Sequence, residues 1–204
     1  MDKQEMINRI VALEWKWFDR ARNEGGRANC QDDWSTFFIM RQSQYLTWTE
    51  PLLASYLADL EDADARGWNM VAEKYGRMEE YTAPEAYAKI RDLLPPRSDM
   101  HRELIDQIAT IQVAWMEEFA KAYPSMAGNA RSIHASEDTE TNTSYETYLK
   151  GELGTYSDAT LLQYGRFVAD LAKAGKNLAF MTMENTARLY GYADLDAAEA
   201  ASAK

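Results

Sequence analysis

The sequence predicts an all-helical protein, and three observations lead to this fold class. Apolar side chains recur with the 3.6-residue period of an amphipathic helix in nearly every segment of the 204-residue chain. No stretch of alternating β-branched residues is long enough to form a sheet. A hydrophobic fraction of 46% beside 27% charged residues is typical of a folded globular chain. We therefore expect one compact, bundle-like domain of about seven or eight helices.

The first half of the chain is predicted to form three long helices. The first spans about residues 3–23 and ends at a double glycine, because glycine favours the position after a helix. A polar loop over 27–33 separates it from a second helix over about 34–48. A threonine suited to the N-cap, followed by a proline, starts the third helix, whose apolar stripe covers about 50–80. We expect a bend in this helix at Gly67.

The second half is predicted to hold the remaining helices. Ser98 and Ser157 are suited to N-cap positions. Residues 125–143 form the longest predicted non-helical stretch, and a loop of this length is more often functional or mobile than not. Residues 193–204 are alanine-rich and acidic, so we expect a frayed tail after a domain over 1–192. The predicted helices of this half cover residues 84–94, 99–123, 144–153, 157–174 and 176–191.

The charge of the chain excludes several kinds of partner. With 22 Lys and Arg against 33 Asp and Glu, the net charge is −11, which repels phosphate backbones and anionic lipid surfaces. We therefore expect no nucleic-acid and no membrane partner, and no apolar window approaches the roughly 18 residues that span a bilayer. The charged N-terminus lacks the apolar core of a signal peptide. With a single cysteine, these features predict a cytoplasmic protein.

Six polar residues interrupt the apolar stripes of the predicted helices. Burial of an unpaired polar or charged side chain is unfavourable, so each residue needs a partner, a ligand or water. Two interpretations stay open. Either these side chains reach solvent or form structural ion pairs, or several of them converge on a polar ligand pocket inside the bundle. The six residues are Glu14, Arg41, Lys74, Gln112, Glu152 and Asn185.

The polar loop and the long loop contain the candidates for nucleophilic chemistry. Cys30 is the only thiol, and the N-terminus of the second helix, a few residues later, would stabilise its thiolate. His134 is a candidate base, with Glu137 as the carboxylate that orients it. The alternatives are that Cys30 is a small buried side chain and that His134 belongs to a local hydrogen-bond network.

Metal and cofactor chemistry find little support in the sequence. The chain has two histidines and one cysteine, without a Glu-x-x-His pair or zinc-ligand spacing, so we predict no metal site. No glycine-rich phosphate loop occurs, and the sequence identifies no cofactor.

Several motifs together resemble a bacterial family of uncharacterised proteins. They are Glu14-Trp15, Gly25-Gly26-Arg27-Ala28 with Cys30-Gln31-Asp32-Asp33, Phe38-Ile39-Met40-Arg41 with Ser43-Gln44, Glu73-Lys74-Tyr75 with Arg77-Met78, and Glu146-Thr147-Tyr148-Leu149 with Gly151-Glu152-Leu153. Over roughly residues 5–192 the chain is similar to domain-of-unknown-function family 4125. The resemblance implies no established activity. Some members of the family resemble parts of proteins that also contain a nucleotidyltransferase-like domain. By association, this domain points to small-molecule or nucleotide metabolism.

The leading hypothesis is a small-molecule-binding protein, an enzyme whose reaction the sequence does not identify. Arg27, Arg41 and Lys74 are predicted to bind an anionic group such as a carboxylate or phosphate. Further ligand-binding residues are predicted within the family motifs: Gln31, Gln44 and Tyr148.

Proton transfer and protein binding complete the set of hypotheses. The residues predicted to move protons are Glu14, Glu152, His134 and Glu137, while Cys30 is either a pocket wall or a nucleophile. The alternative function is a non-catalytic module that uses its aromatic surface to dock on another protein, such as a nucleotidyltransferase-like enzyme, or on a second copy of itself.

Overall fold

The structure, a computed structural model, describes residues 1–21, 26–139 and 141–203. Within these residues it contains 11 α-helices and no β-strand, which confirms the all-helical prediction. Short 3-10 helices lie in three connections, at Asn29–Asp32, Arg91–Leu93 and Ala135–Glu137. In chain order the α-helices are α1 (Lys3–Phe18), α2 (Trp34–Leu46), α3 (Glu50–Ala65), α4 (Met70–Thr82), α5 (Pro84–Ile90), α6 (Asp99–Ala122), α7 (Pro124–Gly128), α8 (Tyr145–Leu153), α9 (Asp158–Lys173), α10 (Leu178–Leu189) and α11 (Leu195–Ser202).

Serine N-caps start three of these helices. The hydroxyls of Ser98 and Ser157 accept hydrogen bonds from the N–H groups of His101 and Thr160, as their predicted cap positions require. Ser144 makes the same contact at the start of α8. The positions of these serines before apolar stripes therefore predicted the helix starts to within a residue or two.

The predicted third helix is two helices, α3 and α4. Gly67 has a left-handed backbone with φ of +70°, and the N–H of Trp68 donates to the carbonyl of Ala63 at 2.8 Å. These contacts end α3. The Asn69 side chain then accepts a hydrogen bond from the N–H of Ala72 and starts α4. The expected bend is a complete break, which is one reason why the helices outnumber the prediction.

Helix α1 ends at Phe18, earlier than predicted. The Gln31 side-chain amide donates to the carbonyl of Phe18 at 2.6 Å, and Arg27 Nη1 donates to the carbonyl of Asp19 at 2.9 Å. Because these side chains satisfy carbonyls at the helix end, the backbone does not have to continue the helix to pair them. The predicted helix end, at about residue 23, falls within residues 22–25, which lie outside the described residues.

Two short helices occupy segments for which none was predicted. Helix α7 lies at the start of the predicted loop over 125–143, and α11 lies in the predicted frayed tail. The Glu199 carboxylate of α11 accepts hydrogen bonds from the N–H groups of Ser125 and Met126 at 2.7 and 2.8 Å, so it caps α7. Leu195 of α11 is buried. The frayed-tail prediction was wrong because this packing and cap hold the segment.

Helices α4 and α8 approach each other closely at Gly151. A Cβ atom at this position would lie 2.6 Å from Met78 Cγ and 3.1 Å from the carbonyl oxygen of Lys74. The missing side chain therefore lets the backbone of α8 pack directly against α4. This contact brings Lys74 next to Glu152, the residue that follows the glycine.

The centre of the bundle is rich in aromatic rings. The Trp48 ring contacts those of Tyr45, Tyr56, Tyr156 and Tyr164, and Tyr56 contacts Tyr156, at centroid distances of 4.9 to 6.2 Å. All five rings are almost fully buried. In the part of the chain that the structure describes, no helix has the length and apolar character needed to cross a lipid bilayer.

Candidate functional site

Four charged side chains from four helices meet inside the bundle. Glu14 extends from α1, Arg41 from α2, Lys74 from α4 and Glu152 from α8, and each is less than 10% exposed. We call these four residues the ion network. Helical spacing alone selected them as interruptions of apolar stripes, and the structure brings them together.

Arg41 links the two carboxylates of the ion network. Its Nε donates to Glu14 Oε2 at 2.8 Å, and its Nη1 donates to Glu152 Oε2 at 3.0 Å. Nη1 also donates to Gln44 Oε1 at 3.0 Å, and Nη2 donates to the Tyr45 hydroxyl and to Glu14 Oε1. Every nitrogen of the guanidinium therefore has an acceptor, as a buried arginine requires.

Tyrosine hydroxyls complete the coordination of the carboxylates, and sequence reasoning missed them. Tyr45 and Tyr56 donate to Glu14 Oε1 at 2.6 and 2.8 Å, and Tyr156 donates to Glu152 Oε1 at 3.3 Å. Burial raises the pKa of each hydroxyl well above its usual value, so all three remain donors. In the sequence these tyrosines fit apolar stripes through their rings, although Tyr45 follows Arg41 by one helical turn.

Lys74 is more loosely held than Arg41. Its Nζ donates to the Tyr148 hydroxyl at 2.7 Å and lies 3.6 Å from Glu152 Oε2. The same atom lies 4.3 Å from the ring centroid of Tyr148 and 5.4 Å from that of Tyr75. Burial acts to lower the pKa of this lysine, but Tyr148 and Glu152 outweigh it and raise the pKa, so the ammonium stays charged.

The ion network balances two carboxylates with two cations. Burial alone would raise the pKa of Glu152, but Arg41 and Lys74 lower it to about 2, so the carboxylate is ionised at neutral pH. The cavity beside the network has a volume of about 10 Å³, with Tyr56 and Thr155 in its lining. A cavity of this size holds about one water molecule. A larger ligand therefore has no room in this cavity.

The aromatic side of Lys74 extends to exposed residues. Arg131 is exposed, and its guanidinium carbon lies 4.6 Å from the ring centroid of Tyr148. Burial raises the pKa of Tyr75 to about 12, and Tyr148 and Cys30 add to this rise while Lys74 and Arg131 oppose it. We call Tyr75, Tyr148 and Arg131 the Lys74 rim.

Gln112 and Asn185 of the six stripe residues lie outside the ion network. Gln112 Oε1 accepts hydrogen bonds from the hydroxyls of Tyr145 and Tyr164 at 3.3 and 3.2 Å. Asn185 donates to the carbonyl of Ser43 at 3.1 Å. Both residues therefore join helices through neutral hydrogen bonds.

Arg27 and Gln31 fix the loop before α2. Arg27 Nη2 donates to Asp19 Oδ1 at 2.6 Å and Nε donates to Asp32 Oδ1 at 2.9 Å. Gln31 is buried, its amide nitrogen donates to the end of α1, and its oxygen accepts from the N–H of Ala28 at 2.8 Å. Both predicted ligand-binding residues therefore have protein partners in this loop.

Gln44, another predicted ligand-binding residue, contacts the ion network itself. Its side-chain amide nitrogen donates to Glu152 Oε1 at 3.1 Å, and its oxygen accepts from Arg41. Both the nitrogen and the oxygen of the Gln44 amide therefore have hydrogen-bond partners in the ion network.

The structure pairs His134 with Glu117 and leaves Cys30 exposed. His134 Nε2 lies 3.1 Å from Glu117 Oε1. The backbone N–H of His134 donates to Glu137 Oε2 at 3.1 Å. Cys30 is exposed rather than the small buried side chain of the alternative interpretation. Within the described residues no hydrogen bond joins Cys30 to His134, so any pairing of the two requires a rearrangement of the loops.

A further buried carboxylate, that of Glu73, lies next to Lys74 in sequence. Glu73 is almost fully buried and accepts hydrogen bonds from Trp68 Nε1 at 2.5 Å, Arg77 Nη2 at 2.6 Å and Arg97 Nη2 at 3.3 Å. Its spacing of four residues from Arg77 was visible in the sequence, but the contribution of Arg97 from another segment was not. This cluster joins α4 to the start of α6.

Metal ligands do not cluster in the parts of the chain that the structure describes. No group of three or more His, Cys, Asp or Glu side chains there has an arrangement that could hold a metal ion.

Comparison with known proteins identifies one family. The family model described as protein of unknown function (DUF4125) matches residues 4–200. Comparisons with curated proteins and with solved structures give no significant match. Because the family model covers nearly the whole chain, this protein belongs to the DUF4125 family of proteins of unknown function.

Proposed function

We propose that this protein binds a small anion, such as a carboxylate or phosphate compound, at the outer side of Lys74. Glu152 pairs with the lysine on the inner side, and the Lys74 rim receives the ligand. The observation that carries the proposal is the incomplete coordination of a buried ammonium group.

An ammonium group has three protons to donate. Lys74 gives one to the Tyr148 hydroxyl, while the nearest oxygen of Glu152, at 3.6 Å, is too distant for a good hydrogen bond. Arg41 and Arg27, in contrast, have their donors occupied by protein acceptors. Of the three cations predicted to bind an anion, Lys74 is therefore the one with donor capacity left.

The rim supplies the other features of an anion site. Arg131 is exposed beside Tyr148 and adds a second positive charge. Charge-assisted hydrogen bonds from two cations give an anion both affinity and orientation. Because the chain carries a net charge of −11, such a local pair of cations is needed to offset the repulsion from the rest of the molecule.

The catalytic roles of Cys30, His134, Glu137, Glu14 and Glu152 stay predictions. A carboxylate with a pKa of about 2 is a weak base at neutral pH, so the geometry favours Glu152 as the residue that positions Lys74. Cys30, which is exposed in the loop before α2, stays the candidate nucleophile if the bound anion is a substrate.

The test is isothermal titration calorimetry with inorganic phosphate, acetate and citrate. We expect at least one of these probes to bind the native protein, and Lys74→Met to weaken it at least tenfold. Arg131→Gln, which changes an exposed residue, tests the same site without disturbing the interior. Lys150→Met is the matched control, because Lys150 is also ion-paired and lies 5.7 Å from a tyrosine ring centroid, that of Tyr81. The proposal would be contradicted if none of the three probes bound, or if Lys74→Met and Arg131→Gln bound them as tightly as the native protein does.

A second candidate function, docking on another protein, is favoured by the aromatic rings of α1 and α2. Trp34 is 43% exposed, and its ring packs against Trp15 and Phe38 at centroid distances of 5.1 and 5.6 Å. Exposed tryptophan on a supported aromatic base is typical of interface hot spots. We expect Trp34→Ser to weaken binding to a nucleotidyltransferase-like partner in a mixing experiment with purified proteins, while Tyr190→Ser, also exposed, leaves it unchanged.

A further inference from the structure

We infer a second ligand site, for a small amphipathic anion, in the groove between the start of α3 and the C-terminal half of α9. The groove has a volume of about 440 Å³, within the range of small-molecule sites. Its base includes Leu52 and Leu171, which are buried, and the half-buried ring of Phe167. The groove shares no lining residue with the cavity beside the ion network.

Unpaired cations line the same groove. Arg166 and Lys176 are exposed, and in the described residues no carboxylate oxygen lies within 4.0 Å of either side chain's charged group. The one acid of the lining, Asp170, lies 4.0 Å from Lys173. The lining therefore has a net positive charge in a chain whose net charge is −11. An anion is the ligand that this charge complements.

The start of α3 adds polar donors to the groove. Thr49 lines the groove at the N-cap of α3, and its side chain makes no capping hydrogen bond. In the first turn of α3, Glu50 and Leu52 have N–H groups without intrahelical acceptors, whereas Pro51 has no N–H, and such free N–H groups favour negative charge. The partial positive charge at the start of α3 adds to the charges of Arg166 and Lys176, on which the inference rests.

The combination of base and lining defines the chemical class of the ligand. An aliphatic or aromatic portion would cover Leu52, Phe167 and Leu171, and a carboxylate would reach Arg166 or Lys176. Neither an inorganic anion nor an uncharged apolar molecule uses both features. The fit is therefore to an organic monoanion with a short apolar body.

Calorimetric titration with octanoate, octanol and inorganic phosphate tests this inference on the full chain. We expect octanoate to bind, octanol to bind at least tenfold more weakly, and phosphate not to compete with octanoate. The double variant Arg166→Gln with Lys176→Gln should lose at least tenfold in octanoate affinity. Lys121→Gln, which changes an exposed lysine of α6 outside the groove lining, should not.

Three outcomes would overturn the inference. They are equal affinity for octanol and octanoate, displacement of octanoate by phosphate, and unchanged octanoate affinity in the double variant. Octanoate titration of Lys74→Met separates this site from the Lys74 rim, because the groove predicts unchanged binding in that variant.

Discussion

Arg41 is the residue on which the interior charge balance depends. It lies between Glu14 and Glu152 and is itself only 9% exposed. Helical spacing predicted that a charge would interrupt the stripe of α2, because the position of a residue on a helix face follows from its number. Spacing does not identify the partner, and it did not predict the tyrosine hydroxyls, because tyrosine fits an apolar stripe equally well through its ring.

Replacement of Arg41 by Met should destabilise the protein by about 3–5 kcal/mol, since it leaves two buried carboxylates without their shared cation. Urea denaturation measures this change. Arg66→Met is the control, because Arg66 forms an exposed pair with Asp62, and exposed pairs contribute about 1 kcal/mol or less. A variant at position 41 that is as stable as the native protein would show that the network is not a source of stability.

Glu152 should give the protein a characteristic acid sensitivity. Its pKa is about 2 in the folded state, below the ordinary value of 4.5, so its stabilising effect is complete above about pH 5 and is lost as the pH falls toward 2. The loss amounts to roughly 3 kcal/mol, because each tenfold difference in proton affinity between the folded and unfolded states corresponds to about 1.4 kcal/mol.

Denaturation at a series of pH values checks this dependence. Glu152→Gln should flatten the fall in unfolding free energy between about pH 5 and pH 2, while Glu85→Gln, at an exposed position, should follow the native curve. An unchanged slope in Glu152→Gln would assign the acid sensitivity to other carboxylates.

At the scale of helices, the close contact of α4 and α8 determines where Lys74 and Glu152 meet. Gly151 permits this contact, and Lys74 and Glu152 meet because of it. Helix starts at Ser98 and Ser157 could be predicted, because caps are local. The end of α1 and the folding of α11 could not, because Gln31 and the first turn of α7 act across gaps in the sequence.

Gly151→Ala should destabilise the protein by about 1–3 kcal/mol, because the new methyl group meets Met78 and the backbone of Lys74. This clash outweighs the gain of about 1 kcal/mol that alanine brings to a helix. Gly128→Ala in α7 is the matched control, because nothing lies within 4 Å of its Cβ position, so it should be neutral or stabilising. If both variants gained stability in urea denaturation, the helices would not be in close contact at Gly151.

At the scale of the whole molecule, the acidic surface encloses a compensated interior. The net charge of −11 belongs mainly to the exterior, while Arg41 and Lys74 face the bundle centre. The fold class could be predicted because periodicity is present in every segment. The places of the four charged residues in apolar stripes predicted buried charge, but they left open whether these residues would form ion pairs or line a ligand pocket. The size of the cavity and the way each cation is coordinated depend on tertiary distances, which no spacing rule supplies.

The most direct test of an anion site at Lys74 is a titration followed by two-dimensional NMR of the nitrogen-15-labelled protein. The titrant is whichever of phosphate, acetate and citrate binds best. We predict backbone shifts at Tyr75, Arg131 and Tyr148 that disappear in Lys74→Met and persist in Lys150→Met. Shifts confined to the groove near Thr49 and Arg166, or shifts at the rim that persist in Lys74→Met, would contradict the assignment of the anion site to Lys74.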